Sequence, residues 1–89
     1  MFALGRSYPN PFNPVTRFTV DVPVASPIEV AVFNVLGQKI ATLFSGVREA
    51  GSAQMAWNGL SDNGVTASSG VYFIRMTAAG TGFTATQKV

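Results

Sequence analysis

Few side chains in this sequence can do chemistry. Asp21, Glu29, Glu49 and Asp62 are the whole acid–base set of an 89-residue chain that has no His and no Cys. Without imidazole or thiol there is no Ser-His or Cys-His nucleophile, no disulfide framework, and little to hold a transition metal. Paired carboxylates are the one catalytic device left, because a glycosidase sets two acids across a sugar. A chain this short is not expected to form the cleft they would need, so no catalytic residue is assigned and no enzyme is expected. Asp62-Asn63-Gly64 offers hard oxygen ligands of the kind calcium takes. That loop pattern needs ligands at alternating positions and a distal carboxylate, and no acid follows residue 62. The triplet therefore reads as a tight turn, in which Asn and Gly tolerate left-handed backbone. No metal and no cofactor is expected, and no G-x-S-x-G, Walker A or G-x-G-x-x-G pattern is present.

The formal charge is +2, but the six cations, Arg6, Arg17, Lys39, Arg48, Arg75 and Lys88, are scattered and no two adjoin. Nucleic-acid surfaces cluster Lys and Arg to displace several phosphate counterions at once, so no nucleic-acid partner is expected. Apolar runs such as Val30–Phe33 fall far short of the roughly 20 residues that span a bilayer, and no membrane insertion is expected. The opening MFALGRSYP lacks the basic and apolar regions of a secretory signal.

The elements that must position these groups are strands. At 47% apolar residues, one unit of this size should bury about 63% of its extended surface and hold a net stability of about 4 to 13 kcal/mol. Alternation of period two, broken by turn residues every eight to twelve positions, predicts a small antiparallel all-β sandwich or barrel of about six strands. Thr16–Val22 turns Phe18, Val20 and Val22 inward. Ile28, Val30 and Val32 form the next inward row, with Glu29, Ala31 and Phe33 opposite. Asn34-Val35-Leu36-Gly37 supplies an Asn for the start of a type I turn and a Gly for its positive φ, which predicts a hairpin. Gln38–Phe44 returns with its inner side undecided between Ile40 and Leu43, and Ser45–Gly51 is a polar connection. Ala53, Met55 and Trp57 then alternate inward, Asn58–Gly70 is loop, and Val71–Thr77 is a strand with Tyr72, Ile74 and Met76 inside. Phe83–Val89 is last.

Tyr8–Pro14 (YPNPFNP) is the least ordinary segment. Its prolines at 9, 11 and 14 fix φ and remove three amide donors, so it is stiff, extended and not a central strand. It reads as a strap across one end of the sandwich or as a rigid epitope for a partner. Phe33, Phe44, Phe73 and Phe83 are candidates for an exposed aromatic row of a carbohydrate-binding module, although Phe lacks the polar handle of Trp and Tyr.

LGRSYPNPFNPVTRFTVDVP, VFNVLGQKIATL, SGVYFIRM and TQKV, in that order, resemble the C-terminal sorting domain (type A) of proteins exported by type IX secretion. The stretch from Trp57 through DNG to SGVYF is also similar to the Ig-like domain of flagellar hook-capping proteins. The resemblance implies a small antiparallel Ig-like β-sandwich of about six to seven strands over residues 1–89, with 1–14 as lead-in. It implies a non-catalytic label at the end of a larger secreted protein, periplasmic in transit and then secreted or at the cell surface. Its partners would be an outer-membrane translocon, a surface transpeptidase and an upstream cargo domain. Carried onto this chain, the sorting-motif residues are Tyr8, Pro9, Asn10, Pro11, Phe12, Asn13, Pro14, Asn34, Gly37, Gly70, Tyr72 and Lys88. Members of that family continue beyond Lys88-Val89, so truncation is expected, with fraying or weak self-association at an unpaired strand end. The alternative is an accessory Ig-like interaction or carbohydrate-binding module of a secreted enzyme.

Overall fold

The computed structural model describes residues 2–5, 16–67 and 70–88, and the backbone of 8–9. Its strands are β1 (Ala3–Leu4), β2 (Tyr8–Pro9), β3 (Thr16–Val22), β4 (Ser26–Asn34), β5 (Lys39–Arg48), β6 (Gly51–Trp57), β7 (Tyr72–Ala78) and β8 (Phe83–Lys88). They form two antiparallel sheets. In the first, β6 pairs with β3 along its whole length, from Thr16↔Trp57 to Val22↔Gly51. The short β1 and β2 therefore share the other edge of β3, through Ala3↔Asp21 and Tyr8↔Arg17. The second sheet has the order β5-β4-β7-β8. Pro9 thus lies on an edge strand, where its missing N–H costs no ladder bond to a further neighbour.

Alternation decides what is inside. Phe18, Val20 and Val22 from one sheet meet Ile28, Val30, Val32, Ile74, Met76 and Ala78 from the other, all nearly fully buried. The Tyr72-Ile74-Met76 row is the inward one, because the opposite row carries the exposed guanidinium of Arg75. This fold is the expected Ig-like all-β sandwich, with six long strands and two short lead-in strands.

Two expectations are corrected. Ser45–Arg48 is strand, not connection, and only Glu49-Ala50 joins β5 to β6. The start of β4 recruits those residues, pairing Ser26 with Arg48 and Glu29 with Ser45, and the long-range ladder overrides turn-like composition. The undecided face of β5 has a physical cause as well. The register with β4 slips between Val30 and Ala31, so that Val30 opposes Phe44 whereas Ala31 opposes Thr42. A bulge of this kind re-aims side chains; Ala41 is the buried residue, and Ile40 and Leu43 are both half-buried. Strand β7 runs one residue later than expected at each end, Tyr72–Ala78. Val89 and residues 10–14 lie outside the described residues.

The thin core makes single truncations costly. Met76→Ala, at a fully buried position, should lower unfolding free energy by about 2 to 5 kcal/mol, whereas Thr84→Ala on the outer face should stay within about 0.5 kcal/mol. Urea unfolding followed by the fluorescence of the single Trp reads both. Equal effects at the two sites would contradict this assignment of inner and outer faces.

Candidate functional site

The strand registers bring three separated segments to one end of the sandwich. Trp57 and Thr16 pair at the last rung of the first sheet, beside the Pro9 rung. Asn34↔Tyr72 and Phe73↔Lys88 close the same end of the second sheet. The indole of Trp57, buried, meets the Tyr72 ring edge-on across the gap, with centroids 5.2 Å apart. Edge-to-face packing at this distance adds about 0.5 to 1.5 kcal/mol to the burial itself.

Trp57 also holds the following loop. Its Nε1–H donates to the Leu60 carbonyl at 2.9 Å, which satisfies the one polar atom the ring takes inside. From there the chain makes a small hairpin, with a Leu60↔Thr66 bridge and an Ala67 N–H to Gly59 C=O bond of 2.8 Å. Its tip is the Asp62-Asn63-Gly64 turn, with Gly64 at φ 77°. The turn leans on the open edge of β5: Asp62 N–H donates to the Ile40 carbonyl at 3.1 Å, and the Asp62 carboxylate accepts the Thr42 N–H at 3.0 Å. Asp62 therefore covers edge groups that would otherwise invite pairing with another chain.

The hairpin between β4 and β5 is built from its own first residue. The Asn34 Oδ1 accepts the N–H groups of Leu36 and Gln38, both at 3.0 Å, and its Nδ2 donates to the Gln38 side-chain oxygen at 2.8 Å. Gly37 N–H returns to the Asn34 carbonyl, at a backbone φ of 79° that suits glycine. With their polar capacity used inside the turn, Asn34 and Gly37 act as scaffold. What they present is Val35 and Leu36, 67% and 79% exposed. Two apolar side chains at a turn tip are contrary to ordinary turn chemistry.

Of the residues expected to form a motif, Pro9, Asn34, Gly70, Tyr72 and Lys88 share this end, with the backbone of Tyr8 on the adjoining rung and Gly37 at the turn. Asn10, Pro11, Phe12, Asn13 and Pro14 lie outside the described residues. Three of the four acids have structural partners. Asp21 accepts from the Ser52 hydroxyl, Glu29 pairs with Lys39 at 2.9 Å, and Asp62 is held by Thr42. Among the described residues no group of three His, Cys, Asp or Glu could hold a metal ion. The four phenylalanines also fail to form one exposed row. Phe33 is buried beneath Arg75, whose guanidinium carbon sits 4.0 Å from the ring centroid; Phe44 lies under Arg48 at 5.5 Å; and Phe83 packs on Phe2 at 5.3 Å. Val35, Leu36 and Arg75 were not singled out by sequence as site residues, although an apolar pair inside an Asn-to-Gly turn was the available signal.

Comparison with known proteins bears on these features directly. The sequence profile of the FlgD Ig-like domain matches residues 8–82. Comparison with curated proteins returned no match. Among solved structures, the crystal structure of FLGD from P. aeruginosa superposes with a TM-score of 0.64 at 23% identity, over 83% of this chain and 59% of that one. At that identity the likeness establishes the fold. The family match corrects the expectation of a type IX sorting signal: what residues 8–82 match is the FlgD Ig-like domain. The physical reason lies in the motif. Asn34, Gly37 and Tyr72 are set by the demands of a hairpin turn and of closure between sheets, so any Ig-like sandwich with these turns favours them.

Loss of the Asn34 side chain should loosen the tip without opening the core. Asn34→Ala is expected to cost about 1 to 2 kcal/mol in unfolding free energy, and to speed amide exchange at Leu36 and Gln38 first. Unchanged exchange at those two amides would show that the backbone holds the turn unaided.

Proposed function

The chain belongs to the FlgD Ig-like domain family, and from that membership we propose that it is a non-catalytic Ig-like interaction module of a hook-capping type of protein. The observation that carries this reading is the span of the match, which runs from Tyr8 in β2 to the turn before β8 and so takes in both sheets and the hairpin end. The chain spans 59% of the length of the P. aeruginosa structure, so the hook-capping role of a whole protein is part of the proposal. The chemistry agrees. A chain without His or Cys, whose acids Asp21, Glu29 and Asp62 serve as structural acceptors, works by presenting shape and polarity. Its partners on this reading are other protein chains of an assembly outside the cytoplasm, and it needs no cofactor.

Replacing the matching part of P. aeruginosa FLGD with this domain tests the proposal. The chimaera should restore a measurable fraction of swimming motility to a strain lacking FLGD, with its abundance followed by immunoblot. A chimaera that accumulates normally and leaves cells without motility would overturn the reading.

A further inference from the structure

The outer face of the second sheet carries a charged arrangement that neither the fold nor the turn chemistry accounts for. Registers place Lys39, Phe33, Phe73 and Lys88 in one row across β5, β4, β7 and β8. In the neighbouring row Ala31, Arg75 and Thr86 are cross-strand partners. Arg75 leans diagonally onto Phe33, its guanidinium carbon 4.0 Å from the ring centroid, and Phe33 is 9% exposed. A guanidinium placed over an aromatic face keeps N–H donors that the ring does not use. Among the described residues Arg75 makes no hydrogen bond or ion pair. The fork lies beside a shallow cleft of about 270 Å³ whose lining includes Phe73, Thr86 and the exposed Val35.

We propose that this cleft docks an extended segment of a partner protein in which a carboxylate engages Arg75 and a neighbouring apolar side chain rests on Val35 and Leu36. Charge complementarity selects the occupant. On this face Glu29 is neutralised by Lys39 at 2.9 Å, whereas the Arg75 cation has no acid paired with it among the described residues. A planar guanidinium is suited to a bidentate bond with a carboxylate, and the Thr86 hydroxyl adds an adjacent polar group. Nucleic acid and sugar fit less well, because both use an open aromatic face and Arg75 already covers Phe33. The proposal rests on the reading of this domain as an interaction module and names the chemistry of its partner.

Nuclear magnetic resonance titration of the whole chain with a capped hexapeptide of alternating leucine and glutamate tests it. Amide shifts should cluster at Val35, Phe73, Arg75 and Thr86, and a peptide with glutamine in place of glutamate should bind about tenfold more weakly or worse. Arg75→Gln should produce the same loss, and Arg75→Lys a smaller one, since it keeps the charge without the fork. Thr86→Glu is the safeguard against a folding defect: it leaves the Phe33 cover in place and sets a competing carboxylate opposite Arg75, so it too should abolish binding. Shifts elsewhere, equal binding of the glutamine peptide, binding unaffected by Arg75→Gln or Thr86→Glu, or preferential binding of single-stranded DNA would each overturn the proposal. The two readings fail separately. Full motility of a chimaera carrying Arg75→Gln would remove this surface and keep the module, whereas an immotile chimaera whose domain still binds the peptide would do the reverse.

Discussion

The contact between Trp57 and Tyr72 is the constraint on which the rest of this domain depends. Two sheets in a sandwich share no ladder hydrogen bonds across the core, so only burial between their inner faces holds them in register. Most of that burial comes from small aliphatic side chains such as Val20, Val30 and Val32. At the hairpin end the aliphatic rows stop, and a single indole spans the gap to the opposite sheet. The same ring fixes the Leu60 carbonyl. Through the short hairpin that follows, it sets Asp62 against the edge of β5. Closure of the core, placement of the loop and protection of an edge are thus linked through one residue.

That linkage makes this end of the sandwich rigid enough for the surface proposed above. A rigid end can offer a turn with two apolar side chains at its tip, because the turn is closed by Asn34 and Gly37 and needs nothing from solvent. Next to it, the Arg75 guanidinium carbon lies 4.0 Å from the centre of the Phe33 ring, which limits its freedom. Preorganisation of this kind lowers the entropy lost on association and suits the interaction role proposed for this domain. The opposite end differs: Glu49 and Ala50 turn the chain beside Arg48 and Phe44, and Phe2 packs on Phe83 to close the core there.

Much of the architecture was legible in the sequence, because alternation encodes which face of a strand is wet. Thr16–Val22 and the inward rows of β4 and β7 follow from that rule alone. The hairpin at Asn34–Gly37 was legible from turn chemistry. Where local pattern and long-range pairing disagreed, pairing won: Ser45–Arg48 became strand because β4 offered partners, and the bulge opposite Val30 hid the face of β5. The edge role of Asp62 was out of reach, since nothing local says that a turn will fold back onto a strand 20 residues earlier. Arg75 over Phe33 is a diagonal contact between strands far apart in sequence, visible only once the register is known. The functional reading drifted for a related reason. A turn Asn, a turn Gly and a core Tyr serve a common fold and do not by themselves mark one pathway; the family match from Tyr8 to Gly82 is what separates the two.

Amide hydrogen exchange in a Trp57→Phe variant tests the central linkage most directly, because Phe keeps an aromatic ring in the core and removes only the indole N–H and part of its bulk. The account predicts that the amides of Thr42, Asp62 and Ala67 exchange about tenfold faster or more, while those of Val20, Val30 and Ile74 slow or hasten far less. Loop amides as protected as before, or a uniform loss across both sheets, would contradict it.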